Sequence, residues 1–312
     1  MYLFFLKRFI DYVILKIDFK STKDILFSLI NYSSFNNQFL QMNPKIVSSK
    51  WLNEHLTDSN LIILDASQKN NKNKLSSKFE NLHIKNARLI DLKNDFSDKN
   101  SLFPNTILSE KEFEIATQKL GIHKTSKIVV YDNLGVYTSP RVWWLFKTMG
   151  HKNIAVLNGG LPDWINDGYK TEQIKKTNYK KGDFIANFNP ENIAYFKNIK
   201  ENTKLENALV IDARSSDRFH SLIEEPRKEL RSGKIANSIN IPYQMVLENG
   251  KFKSKNELIK LFSSFVTVDK PLIFSCGSGI TACILLIASE LVLSQKKSIY
   301  DGSWTEYAQL EK

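Results

Sequence analysis

The stretch Pro271-Leu-Ile-Phe-Ser-Cys276-Gly277-Ser278-Gly279-Ile280-Thr281-Ala282-Cys283 reads as a buried strand, a glycine loop and the start of an apolar helix. The strand ends at Ser275, and the helix is expected to run from about Thr281 to Leu293. Two glycines let the backbone curl, so that consecutive N–H groups can converge on one point. That point lies near a helix N-terminus, where the partial positive charge of the helix sits. A cysteine held there is expected to be a thiolate, hence a nucleophile, and the N–H groups would stabilise whatever anion it becomes. An isolated cysteine is more often a buried core residue. The strand–Cys–Gly-x-Gly–helix context is what makes Cys276 a candidate.

Outward from this loop the chain repeats itself. Leu61-Ile-Ile-Leu-Asp65 and Leu209-Val-Ile-Asp212 both read as buried strands with a polar end. Ser109-Glu-Lys-Glu112 and Ser254-Lys-Asn-Glu257 are capping boxes ahead of helical patterns, about 145 positions apart. Each helix is followed by a short apolar run, Ile128–Tyr131 and Leu272–Phe274, and then by another turn and helix. Gly159-Gly160 before Trp164 is echoed by Asp301-Gly302 before Trp304. Strands alternating with helices predict parallel α/β layers. A period this long is no solenoid and means two copies of one domain. The expected organisation is an N-terminal extension over 1–41, a first domain over 42–174, a polar Lys-rich linker over 175–190 and a second domain over 191–312. Residues 1–41 lack both a basic n-region before an apolar run and a small-x-small cleavage site, so they make a poor signal peptide and a poor transit peptide.

Composition removes several classes. The chain has 312 residues, 42% hydrophobic and 12% aromatic, enough to fill two cores rather than remain disordered. The net charge is +11, from 44 basic and 33 acidic residues, but lysines are scattered and no nucleic-acid signature is visible. No stretch reaches the roughly 18 apolar residues of a membrane span. The two cysteines, Cys276 and Cys283, support no disulfide framework, and the five histidines are dispersed, so neither metal nor organic cofactor is expected. Lone thiols fit a reducing, cytoplasmic setting. Cysteine-dependent phosphatase chemistry needs an Arg closing the loop on the phosphate, and no Arg lies within 276–293.

The loop Cys276-Gly-Ser-Gly-Ile-Thr-Ala, with Ser139-Pro-Arg141-Val-Trp-Trp144, Gly159-Gly160-Leu and Tyr300-Asp-Gly-Ser-Trp304, resembles the tandem-domain rhodanese sulfurtransferases from about residue 44 to the end. Within that family the uncharged loop is similar to the 3-mercaptopyruvate branch; the thiosulfate branch carries Arg and Lys at the positions of Gly277 and Ser278. The resemblance implies two tandem rhodanese-like domains, each a parallel β-sheet flanked by helices, with the site in the cleft between them. It implies Cys276 as sulfur carrier, Ser278 as a catalytic partner and Gly277, Gly279, Ile280 and Thr281 as the persulfide loop. Arg218 and Arg227 are implied as the clamp for the substrate carboxylate and carbonyl, and Tyr137 as a residue facing the site; core packing is an equal reading of Tyr137.

The first domain has Asp132 where the second has Cys276, so it is expected to be catalytically silent. A Ser-His-Asp relay common in the family lacks its partners: the second acid falls at Lys93, and the His falls near Ser101. The resemblance implies a thiol acceptor such as thioredoxin or a small dithiol, or cyanide. Thiosulfate as donor, and a non-catalytic docking or sulfur-carrier module, are the alternatives.

Overall fold

The computed structural model describes residues 44–68, 75–175 and 177–311. The reading of residues 1–41 lies outside them. The first half contains β1 (Ile46–Val47), α1 (Ser49–His55), β2 (Leu61–Asp65), β3 (Leu82–Ile84), β4 (Arg88–Leu89), α2 (Glu110–Lys119), β5 (Lys127–Tyr131), α3 (Ser139–Thr148), β6 (Ile154–Leu157), α4 (Gly160–Asn166) and β7 (Thr171–Gln173). The second contains β8 (Ile193–Ala194), α5 (Phe196–Leu205), β9 (Leu209–Asp212), α6 (Ser216–Phe219), β10 (Ile239–Asn240), β11 (Leu247–Glu248), β12 (Lys251–Phe252), α7 (Lys255–Phe265), β13 (Leu272–Ser275), α8 (Ala282–Glu290), β14 (Lys297–Tyr300) and α9 (Ser303–Leu310).

Each half builds one five-stranded parallel sheet. The orders are β1-β6-β5-β2-β4 and β8-β14-β13-β9-β10, which is the same winding twice. The central strands β5 and β13 are continuous apolar runs because helices cover both faces of each sheet. Both capping boxes form: Ser109 and Ser254 accept from the N–H of Glu112 and Glu257, whose carboxylates reach back to the cap N–H. Each therefore satisfies two of the N–H groups that a helix start leaves orphaned.

The outer face of each sheet has its own core, around Trp164 in the first half and Trp304 in the second. The inner faces merge into one continuous core. Helix α8 explains why. Ala282 to Ser289 are all buried, so the helix is apolar all round and packs against α3 of the first half as well as against its own sheet. It stops at Glu290, short of the predicted Leu293, and Leu291 and Val292 make a turn. Residues 182–189 run back along the first half. Gly182 and Phe184 N–H groups donate to Gln118 and Ile122, Asn187 and Asn189 to Met149 and Thr148, and Phe184 is buried among Phe113, Phe146 and His151. The shared core holds the C-terminal ends of β5 and β13 at the seam between the halves, and the loops at those ends line one cavity there.

Candidate active site

The cavity has a volume of about 730 Å³ and draws its walls from both halves. From the second come Arg218, Arg227, Cys276, Gly277, Ser278, Ile280 and Thr281; from the first come Tyr137 and the loop carrying Lys93, Asp98, Lys99 and Asn105. Among the described residues, four side chains of this wall are cationic, Lys93, Lys99, Arg218 and Arg227, which raises the local concentration of anionic substrates. Cys276, Ser278, Arg218, Arg227 and Tyr137 are thus brought to one place, although the sequence spreads them over 137–278.

Cys276 is buried at the end of β13, and its peptide is fixed from below by the start of α9. Its N–H donates to Ser303 Oγ (3.1 Å), and its carbonyl accepts from the Trp304 N–H (2.9 Å). The Gly277 carbonyl accepts from both the N–H (3.0 Å) and the hydroxyl (2.6 Å) of Thr305. The carbonyls therefore point away from the cavity. Among the described residues, no acceptor takes the N–H groups of Gly277, Ser278, Gly279, Ile280 or Thr281. Gly279 turns this loop at φ 78°, and a Cβ there would meet the Asp301 carbonyl at 2.9 Å. The result is a run of unpaired donors leading into the N-terminus of α8, whose cap Thr281 makes no side-chain capping bond.

The first half shows the same loop with its donors already used. At the end of β5, Asp132 is buried and folds into its own loop. Its Oδ2 accepts from the N–H groups of Tyr137 (2.9 Å), Thr138 (3.0 Å) and Ser139 (2.9 Å) and from the Ser139 hydroxyl (2.7 Å). Its Oδ1 accepts from the Leu134 N–H (3.0 Å). A resident carboxylate occupies the cradle and holds α3 at its base.

The arginines divide into different roles. Arg214 is wholly buried, pairs with Asp212 and Glu225 at 2.7 Å each and stacks on Trp304 (4.6 Å), so it belongs to the core. Glu225 also receives Arg218, whose Nε and Nη2 donate to its two oxygens at 3.3 and 2.5 Å. The bidentate pair aims the Arg218 guanidinium over Gly277, where any Cβ would lie 3.0 Å from Nη2. Arg227 donates to Thr305 Oγ1 at 3.2 Å. Burial and the nearby Arg218 charge lower the Arg227 pKa, against the pull of Glu229, Cys276 and Glu225. Tyr137 is buried with its ring against Tyr243 and forms part of the cavity wall, so both readings of it apply. Burial pushes its phenol well up, and it stays a neutral O–H.

Several functional contacts carried no legible signal. Arg141 and Asp301 were visible only as motif letters. In the structure they form a buried ion pair at 2.7 Å across the seam; Arg141 also donates to the carbonyls of Gly279 (3.3 Å) and Asn105 (2.5 Å), and the Ile107 N–H donates to Asp301 (2.8 Å). The residue touching Ser278 is Asn105, not Ser101, whose hydroxyl bonds Thr106 inside its own loop. The turn that presents Asn105, with its backbone at φ 63°, cannot be read from residue types.

Cys283 lies beneath the loop, fully buried, with its thiol on the Gly279 carbonyl (3.3 Å). Burial pushes its pKa up to about 12, against the pull of Arg141. A thiol so shifted stays protonated at pH 8. Iodoacetamide at pH 8 should therefore label Cys276 and leave Cys283 unmodified, read by peptide mass. Cys283→Ser should largely spare activity.

Among the described residues, no helix is long and apolar enough to cross a membrane, and no cluster of His, Cys, Asp or Glu could hold a metal ion.

The comparisons with known proteins agree with this geometry. The Rhodanese-like domain model matches twice, over residues 48–167 and 193–310. The 3-mercaptopyruvate sulfurtransferase of Escherichia coli K12 is 32% identical over 265 residues, covering 84% of this chain and 94% of that protein. Thiosulfate/3-mercaptopyruvate sulfurtransferase 2 of Arabidopsis thaliana is 32% identical over 293 residues, covering 86% and 85%. The crystal structure of SseA from Escherichia coli, a 3-mercaptopyruvate sulfotransferase, superimposes with a TM-score of 0.74 at 31% identity, covering 84% of this chain and 99% of that one. Two family matches on two identically wound sheets, with a cysteine loop in the second, place the chain in the rhodanese family: it is a tandem-domain sulfurtransferase.

Proposed function

We propose that the protein moves sulfane sulfur from 3-mercaptopyruvate to a thiol acceptor through a persulfide on Cys276, in two half-reactions. The observation that carries this reading is the run of unpaired N–H donors around Cys276, bordered by Arg218 and Arg227. The Cys276 thiolate attacks the substrate sulfur. An S–S bond forms, the C–S bond breaks, and its electron pair stays on carbon as the enolate of pyruvate. The proton of the substrate thiol balances the step by ending on the pyruvate methyl group, which leaves an anionic persulfide. Sulfur is oxidised to the sulfane level and carbon is reduced.

Arg218 and Arg227 suit the carboxylate and the developing enolate oxygen, since a guanidinium fork matches two oxygens. The loop N–H groups suit the persulfide anion. Asp132 keeps the first cradle filled, which supports a silent first domain. The acceptor we propose is a thiol, thioredoxin or a small dithiol in a cytoplasmic setting.

Gly277 and Ser278 put no charge inside the loop, and a side chain at 277 would meet Arg218 Nη2 at 3.0 Å and have to shift it. This favours a keto acid over thiosulfate, whose dianion needs positive side chains within the loop. In a donor comparison, kcat/KM for pyruvate release from 3-mercaptopyruvate should exceed that for thiocyanate formation from thiosulfate and cyanide by at least about 100-fold, the order of two charge-assisted contacts. The double variant Gly277→Arg/Ser278→Lys should move the preference towards thiosulfate. A wild type that prefers thiosulfate would reverse the assignment.

A further inference from the structure

Resting on the sulfurtransferase reading, the structure carries a further step concerning how Ser278 is used. Asn105 Nδ2 donates to the Ser278 carbonyl and to Ser278 Oγ, each at 3.0 Å. A carbonyl only accepts, so the first bond fixes which end of the amide faces Ser278. The second bond then makes the hydroxyl oxygen an acceptor. Its own O–H is left over, and among the described residues it donates to no protein acceptor. Ser278 and Cys276 line the same cavity.

Asn105 itself is held firmly. Its backbone is left-handed at φ 63°, and its carbonyl accepts from Arg141, which Asp301 and the Gly279 carbonyl anchor from the other half. The backbone from which the amide reaches Ser278 is therefore fixed across the seam.

Among the described residues, no side chain is hydrogen-bonded to Ser278 so as to take its proton. The five histidines, His55, His83, His123, His151 and His220, all lie outside the cavity wall. Among the described residues, the titratable groups in that wall besides Cys276 are Lys93, Asp98, Lys99, Tyr137, Arg218 and Arg227, and none has a hydrogen bond to Ser278. Asp98 is tied into its own turn by the Asn100 N–H at 2.8 Å.

We infer that Asn105 is a positioning residue that locks Ser278 as a hydrogen-bond donor to the reacting sulfur, so that transfer runs without a side-chain proton relay. The stoichiometry of the half-reaction permits this, because the substrate thiol brings the proton that pyruvate keeps. A neutral hydroxyl donating to charge that grows in the transition state raises kcat and leaves KM little changed.

The test is a double-variant cycle on the full chain, read as pyruvate release from 3-mercaptopyruvate. Ser278→Ala should lower kcat roughly 10- to 100-fold, the effect of one donor to a charged group, with KM within about threefold. Asn105→Gly keeps the left-handed backbone while removing the amide. It should lower kcat about 5-fold or more in the wild-type background and by less than about twofold in the Ser278→Ala background, where only the bond to the backbone carbonyl is left to lose. The kcat–pH profiles of wild type and Ser278→Ala should have the same shape between about pH 6 and 9, displaced only in height, since a hydroxyl does not titrate there.

Three results would overturn the inference while leaving the sulfurtransferase reading intact: an active wild type with Ser278→Ala within twofold of it, an inflection lost in Ser278→Ala, or Asn105→Gly equally harmful in both backgrounds. A wild type that releases no pyruvate removes the functional reading and this inference together. If Asn105→Gly does not fold, the Ser278→Ala profile decides alone.

Discussion

Cys276→Ser is expected to abolish sulfur transfer, with residual pyruvate release below one part in a thousand of wild type, and to leave the melting temperature within a few degrees. The hydroxyl is nearly isosteric with the thiol, and the backbone contacts that fix position 276 come from Ser303 and Trp304 rather than from Sγ. The loop should therefore keep its shape. What disappears is the nucleophile and the atom that stores sulfur between half-reactions. Steady-state pyruvate release measures the first effect and a thermal melt the second. Retention of more than a few per cent of activity would mean that sulfur passes directly from donor to acceptor, or through another residue. Activity lost together with the fold would show that Cys276 is needed for packing.

The second large effect concerns the two arginines. Each charge-assisted contact is worth roughly 1.5–3 kcal/mol, so Arg218→Ala and Arg227→Ala should each lower kcat/KM about 10- to 150-fold. Arg218→Lys should also be costly, because one ammonium cannot both fill the two-point contact with Glu225 and face the loop. Arg227→Lys loses the fork as well. Arg231 serves as the control. It stacks on the outer side of Trp304 (5.0 Å) and reaches the Glu311 carbonyl, away from the cavity, so Arg231→Lys should stay near wild type. Thermal melts should show little change for Arg227→Lys and Arg231→Lys. Equal and negligible effects at all three positions would remove the substrate clamp and favour a docking module over an enzyme.

Legibility in the sequence followed the physics of each feature. The inner strands β2 and β13 were readable because strands buried on both faces read as apolar runs, as in Leu61–Asp65 and Leu272–Ser275, each with a polar residue only at its end. The starts of α2 and α7 were readable because a capping box is a local pattern of two residue types. Cys276 was readable because a strand, two glycines and an apolar helix flank it within a dozen positions. The two-point hold of Glu225 on Arg218, the Arg141–Asp301 pair and the Asn105–Ser278 contact were not readable. Each joins residues through the fold, up to 173 positions apart in the case of Asn105 and Ser278, and nothing in their spacing encodes the approach. The self-filled cradle of Asp132 shows the same limit. The sequence marked Asp132 as a residue that cannot carry sulfur, but only the structure shows its carboxylate taking the N–H groups that its loop offers.

The central claim is that Cys276 takes one sulfur from 3-mercaptopyruvate and gives up one pyruvate in doing so. A single-turnover experiment without acceptor tests it most directly, with pyruvate counted by a coupled assay and the added sulfur located by peptide mass spectrometry. The account predicts one pyruvate per chain, one extra sulfur on the peptide containing Cys276, and its loss on addition of a dithiol. An extra sulfur found on Cys283 alone, or pyruvate released with no sulfur retained on the protein, would contradict it.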